Sequence, residues 1–150
     1  MSSTNEIRKH LHIKAPQSRV WQAITDSAQF GAWFNVALES PFVVGQPTSG
    51  QITYKGWEHV RFTLHTEALE PETRFAYRWH PYAVDTKKDY SAEPMTLVEF
   101  LLEPQDGGTL VTVVESGFDR LPPERIAEAF RMNERGWDEQ LENVRAYVGA

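Results

Sequence analysis

Apolar and polar residues alternate over residues 6–14, with Ile7, Leu11 and Ile13 on one face and Arg8, His10 and His12 on the other. That is the period of a half-buried strand. Pro16 then occupies a first-turn helix position, and Val20, Trp21 and Ile24 follow at helical spacing. Thr25-Asp26-Ser27 breaks this helix and offers caps for a second short one ending near Trp33-Phe34. Residues 43–50, rich in Gly and Pro, read as loop, residues 51–54 as a short strand, and Lys55-Gly56 as a turn. Val60, Phe62, Leu64 and Thr66 alternate with Arg61, Thr63, His65 and Glu67 along a long strand, and Pro71-Glu72-Thr73 ends it in a turn. The next strand sets Phe75, Tyr77 and Trp79 against Arg74, Arg78 and His80. Over residues 96–103 Val98, Phe100 and Leu102 share a face, and over 109–116 Val111, Val113 and Glu115 do. Between them, Asp106-Gly107-Gly108 is a tight-hairpin signal.

Residues 121–148 close the chain as one long helix. They open with Leu-Pro-Pro-Glu and carry an apolar stripe of Ile126, Phe130, Trp137, Leu141, Val144 and Val148, interrupted on its inward side by Asn133. Strand, two short helices, antiparallel meander and long helix make an α+β chain. A curved antiparallel sheet wraps round the C-terminal helix, and the two short helices close one end. Residues 81–94 form a polar insertion long for a strand connection, either a lid or a mobile surface loop.

Composition narrows the function. At 150 residues, with no linker or repeat, the chain reads as a single domain over residues 1–150. A net charge of −6 argues against nucleic acid, which needs a basic footprint. Without cysteine there is no disulfide or thiolate chemistry. No apolar run reaches the roughly 20 residues of a membrane span, so no membrane insertion is expected. The first residues lack the regions of a signal peptide, which makes a cytoplasmic protein the expectation. Five Trp residues need a large apolar interior or a wall for an apolar molecule.

Local strings add to this. Val20-Trp21-Gln22-Ala23-Ile24-Thr25-Asp26, Trp33-Phe34, Leu69-Glu70-Pro71 leading to Phe75-Ala76-Tyr77-Arg78-Trp79, and Thr96-Leu97-Val98-Glu99-Phe100 come in order. Gly107-Gly108-Thr109, Val114-Glu115-Ser116-Gly117-Phe118, Asn133 and Gly136-Trp137 follow. Together they resemble the helix-grip (START and polyketide cyclase-like, SRPBCC) superfamily. Within it they are similar to the bacterial branch that resembles the activator of the heat-shock-protein-90 ATPase. The resemblance covers nearly the whole chain. It implies a deep cavity between the long helix and the concave sheet, walled by Phe62, Tyr77, Trp79, Phe100, Val113, Phe130 and Trp137, with Trp33, Phe34 and Trp57 near one mouth. It also implies two alternatives, a cyclase- or hydrolase-like enzyme and a stress or chaperone accessory acting through its outer surface.

Polar groups at inward positions are the candidates for recognition. Alternation sends Glu115 inward, where a carboxylate needs partners. It could anchor a ligand, act as acid or base with Tyr77 or His80 assisting, or be satisfied by Arg or Trp neighbours. Asn133 could hold a ligand carbonyl or hydroxyl, or join a network with Glu115 or Tyr77. His10 and His12 share an outward strand face and no third ligand is placed, so no metal is expected. No phosphate loop, dinucleotide fingerprint or nucleophile elbow is present, and no cofactor is expected. Arg74 and Arg78 with Glu67 and Glu99 read as a charged outer sheet face. The sequence therefore points to binding of a small apolar or aromatic molecule, oriented by Glu115 and Asn133.

Overall fold

A computed structural model describes residues 5–149; the absence of a signal peptide, read in part from residues 1–4, lies partly outside them. Strand β1 (Glu6–Ile13) leads into helices α1 (Gln17–Thr25) and α2 (Ser27–Phe34), then β2 (Val36–Leu38) and β3 (Pro47–Ile52). The meander continues through β4 (Arg61–Glu70), β5 (Arg74–Trp79), β6 (Thr96–Gln105) and β7 (Gly108–Ser116) to helix α3 (Pro123–Val148). The seven strands form one antiparallel sheet in the order β1-β7-β6-β5-β4-β3-β2. Consecutive strands β1 and β2 thus lie on opposite edges, and α1 and α2 span the distance between them. The expected helix-grip architecture is present.

Local chemistry explains the punctuation. The Asp26 carboxylate caps α2 by accepting from the Ala28 and Gln29 amides. Asp106 and Gly107 both take positive φ, 48° and 76°, which a two-residue hairpin between Gln105 and Gly108 requires. Helix α3 starts on Pro123 and ends where Gly149 turns left-handed and returns its amide to the Ala146 and Arg145 carbonyls.

Two sequence expectations need correction. Strand β2 was not expected, and β3 begins at Pro47, inside the stretch read as loop. Composition hid both. Three residues are too few to show a period, and Gly50 looks like a breaker. It is instead where β2 comes closest: a Cβ on Gly50 would sit 2.1 Å from the Ala37 carbonyl oxygen. The inward face of α3 is also turned at its start. Arg125 and Ala129 are buried there, while Ile126 and Phe130 flank the core.

The core lies between the concave face of the sheet and the three helices. Phe30, Phe75, Tyr77 and Phe100 are fully buried within it. Rings run in edge contact from Phe42 through Phe30 and Trp33 to Phe100 and Trp137. Outside, Arg74 meets Glu99 at 2.9 Å and Arg78 meets Glu67 at 3.1 Å, the expected charged outer face. Among the described residues no helix is long and apolar enough to cross a membrane.

Candidate functional site

Strand register assembles the centre of the site. Glu115 on β7 lies opposite Val98 on β6, which lies opposite Tyr77 on β5. Trp79 pairs with Thr96 one step along, so Tyr77, Trp79, Thr96 and Glu115 share the concave face. From above, Asn133 and Trp137, one helical turn apart on α3, point down at the same spot. The Glu115 carboxylate, fully buried, accepts from all four neighbouring donors. Thr96 Oγ1 donates to Oε2 at 2.6 Å and Trp79 Nε1 to Oε2 at 2.8 Å. Trp137 Nε1 donates to Oε1 at 2.8 Å, and Asn133 Nδ2 reaches both oxygens at 3.0 and 3.2 Å. Burial pushes the Glu115 carboxyl above its ordinary range, and the hydrogen bonds from Thr96, Trp79, Trp137 and Asn133 pull the other way.

Of the roles left open for Glu115, the geometry is that of a carboxylate satisfied by Trp partners. Asn133 joins that network through Glu115 and not through Tyr77. The Tyr77 hydroxyl is buried with no hydrogen-bond partner among the described residues, as is Thr66 Oγ1. Burial, and then the charge of Glu115, pushes the Tyr77 phenol well above its usual value.

The open space lies to one side of this hub. Three adjoining spaces of about 670, 140 and 320 Å³ form a cleft. Its walls are the β3–β4 end of the sheet, the insertion 81–94, the end of α2 and the middle of α3. Phe62, Trp79 and Asn133 face the largest space, Phe34, Trp79, Asn133 and Trp137 the smallest, and Phe34 and Trp57 the third. Trp79 and Asn133 therefore belong both to the cleft and to the Glu115 network.

The remaining residues expected in a cavity wall occupy other places. Tyr77, Phe100 and Val113 are core, covered by Trp137 and its neighbours. Phe130 packs edge-on against Phe118 at 5.3 Å. Trp33 donates its indole N–H to the Ala23 carbonyl at 2.8 Å, tying α2 to α1. The physical reason is the seating of α3. It packs against β1, α1 and α2, and the cleft lies toward β3 and β4.

Sequence reasoning missed Thr96, the closest donor to Glu115, and two further residues here. Gly136 faces the two smaller spaces, and a Cβ there would touch nothing within 4 Å. A glycine inside a long helix costs about 1 kcal/mol relative to alanine, which was the available signal. Arg125, buried on the first turn of α3, holds the insertion. Its guanidinium donates to the Pro81 and Tyr82 carbonyls at 2.9 and 3.2 Å and to Glu93 at 3.0 Å, and lies 4.7 Å from the Tyr90 ring centroid. Both ends of the polar insertion are thus fastened to α3. Nothing in the sequence distinguishes this Arg from a solvated one.

The histidines are peripheral. His80 faces the cleft with Nε2 3.1 Å from the Glu93 carbonyl, and His12 Nε2 lies 2.6 Å from the Gln105 carbonyl on the exposed face. No cluster of three or more metal-ligating side chains occurs among the described residues.

Solved structures share this architecture. DynU16, a protein of the dynemicin biosynthetic locus, superposes with a TM-score of 0.73 at 23% identity over 96% of this chain, which spans 47% of DynU16. MLL2253 from Mesorhizobium loti gives 0.74 at 20% identity, covering 95% of this chain and 96% of that one. The Aha1 dimer from Colwellia psychrerythraea gives 0.70 at 17% identity, covering 95% of each. At these identities the likeness is one of fold. No curated protein matches the sequence. The family described as Activator of Hsp90 ATPase homolog 1-like protein matches residues 14–149. A match of that extent, over the same strands and closing helix, places the chain in the Activator of Hsp90 ATPase homolog 1-like family, within the helix-grip superfamily.

Proposed function

We propose that this protein binds a small, largely aromatic molecule in the cleft between α3, β3–β4 and the insertion 81–94. The observation that carries this is the double role of Trp79 and Asn133. Both line the cleft, and both are held from behind by the buried Glu115 carboxylate. A side chain fixed in this way offers a rigid surface, which lowers the ordering cost of binding. The largest space, about 670 Å³, suits a drug-sized molecule. Its lining mixes apolar Ile52, Val60 and Phe62 with His59, His80 and Asn133, so an apolar body with a polar end fits it best.

Glu115 is then a positioning residue. Its four donors occupy both oxygens, and protein surrounds it, so no proton path to a bound molecule is visible. Binding without chemistry is the reading this supports, ahead of an acid–base enzyme.

The test is thermal unfolding against a library of lipophilic and aromatic molecules. A true ligand at a hundredfold excess over its dissociation constant stabilises the fold by about 2.7 kcal/mol. Gly136→Leu, which adds a side chain at the border of the two smaller spaces, should weaken that shift for ligands seated there. A shift that persists unchanged in Gly136→Leu, Phe34→Ala and Phe62→Ala would place binding elsewhere and defeat the proposal.

A further inference from the structure

We propose that the α3 side of the cleft receives a cationic group, a protonated amine or quaternary ammonium carried by the aromatic ligand. This rests on the cleft binding proposed above. Two indoles, Trp79 and Trp137, stack with centroids 5.8 Å apart, and Phe34 meets Trp79 at 6.0 Å. All three face the small space beside Gly136. Aromatic rings gathered round one space attract a cation over whichever of their faces border it.

Each indole N–H is also spent on the same carboxylate, Glu115. A hydrogen bond from an indole to an anion pushes electron density into the ring and strengthens its hold on a cation. The two indole N–H groups can only donate, and Asn133 Nδ2 and Thr96 Oγ1 donate here as well, so the arrangement suits the ionised acid. No ion pair balances Glu115 among the described residues. Burial makes this charge costly, and a cation across one layer of side chains would offset it through a low-dielectric medium.

The charges around the cleft agree. Neither of the two smaller spaces is lined by Lys, Arg or His among the described residues, whereas Glu139 borders one of them. In the largest space Arg61 and Lys88 are already paired, to Glu39 at 2.7 Å and to Glu93 at 3.3 Å. Asp85 and Asp89, which share that lining, make no salt bridge within 4.0 Å among the described residues, and the Ser91 amide donates to Asp89 at 2.9 Å. An anionic ligand would meet unpaired acids and no free cation on the α3 side.

A matched pair of probes tests this. Phenyltrimethylammonium and tert-butylbenzene have the same shape and differ by one charge. Titrations followed by quenching of Trp fluorescence should show the cation binding roughly tenfold or more tightly, the scale of a desolvated cation–π contact. Glu115→Gln should cut that ratio to within about threefold, whatever it does to the affinities of both probes together, because the ratio reads the buried charge. Should Glu115→Gln fail to fold, the exposed pair of changes Glu139→Gln and Asp89→Asn should still lower the cation's affinity about two- to threefold and spare the neutral probe. Equal or weaker binding of the cation in a protein that binds tert-butylbenzene would overturn the inference and leave the cleft as a binding site. Failure of both probes, with no shift from an aromatic library, would overturn both.

Discussion

Glu115 is the residue on which the site turns. A buried carboxylate with four donors cannot be replaced by its amide without loss, because glutamine brings an NH2 group to face indole N–H donors. Stranded donors cost roughly 1–3 kcal/mol each, so Glu115→Gln should destabilise the fold by about 2–4 kcal/mol in urea unfolding. An unchanged midpoint would mean the network is not stabilising. The pH dependence has a definite sign. Burial raises the folded carboxyl above its unfolded value, so at pH values between the two the folded protein keeps a proton that the unfolded chain has released. Stability from this group is therefore full below the ordinary carboxylate range and is lost as pH rises through the folded value. The stability gap between wild type and Glu115→Gln should narrow as pH rises above about 4.3, the ordinary Glu value. A gap that widens would contradict the assignment. Strand alternation alone placed Glu115 inward. Trp neighbours and Asn133 were among the partners expected, but which tryptophans was not legible, since Trp79 and Trp137 lie 36 and 22 residues away and meet it only through sheet register and helix seating.

Gly136 shows the opposite case, a residue whose local cost marks a role. Replacing it with leucine should raise helix stability by about 0.5–1 kcal/mol, since the added side chain meets open space. The same change should abolish binding of any ligand that reaches Trp137. A stabilised protein that still binds with full affinity would show that the α3 side of the cleft is unused.

At the scale of elements, α3 and the insertion 81–94 act together. The helix supplies the floor through Asn133, Gly136 and Trp137, and fastens the insertion through Arg125. Removing that clamp with Arg125→Met leaves Glu93 with Lys88 as its remaining ion-pair partner. Amides of residues 85–93 should then exchange roughly tenfold faster or more, the effect of about 1.4 kcal/mol of local stability, while β6 and β7 stay protected. Uniform exchange across the sheet and the insertion would deny the clamp. The long strands and α3 were readable because each repeats its period often enough to be recognised. Strand β2 was not, because three residues carry no period and its pairing depends on a close approach that only Gly50 permits. The Arg125 clamp was hidden for a related reason: its partners are mostly backbone carbonyls, which leave no mark in a sequence.

For the whole molecule, the fold followed from the order of elements, but the position of the cleft did not. The sequence expectation centred a cavity under the middle of α3, walled by Tyr77, Phe100 and Val113. Tyr77, Phe100 and Val113 are instead buried in the core. What remains open is displaced toward β3 and β4, where Phe34, Trp57, Phe62 and Trp79 gather from distant parts of the chain. Alternation shows which side chains point inward, and cannot show which of them a helix will cover.

The most direct measurement is an NMR titration with an aromatic ligand from the thermal screen, following the five indole N–H resonances of ¹⁵N-labelled protein. The Trp79 indole should shift and saturate with ligand, with Trp137 following through their shared carboxylate. Trp33, whose N–H is held by the Ala23 carbonyl and which lines none of the three spaces, should stay still. A ligand that binds while the Trp79 and Trp137 signals do not move would contradict a cleft built on Glu115.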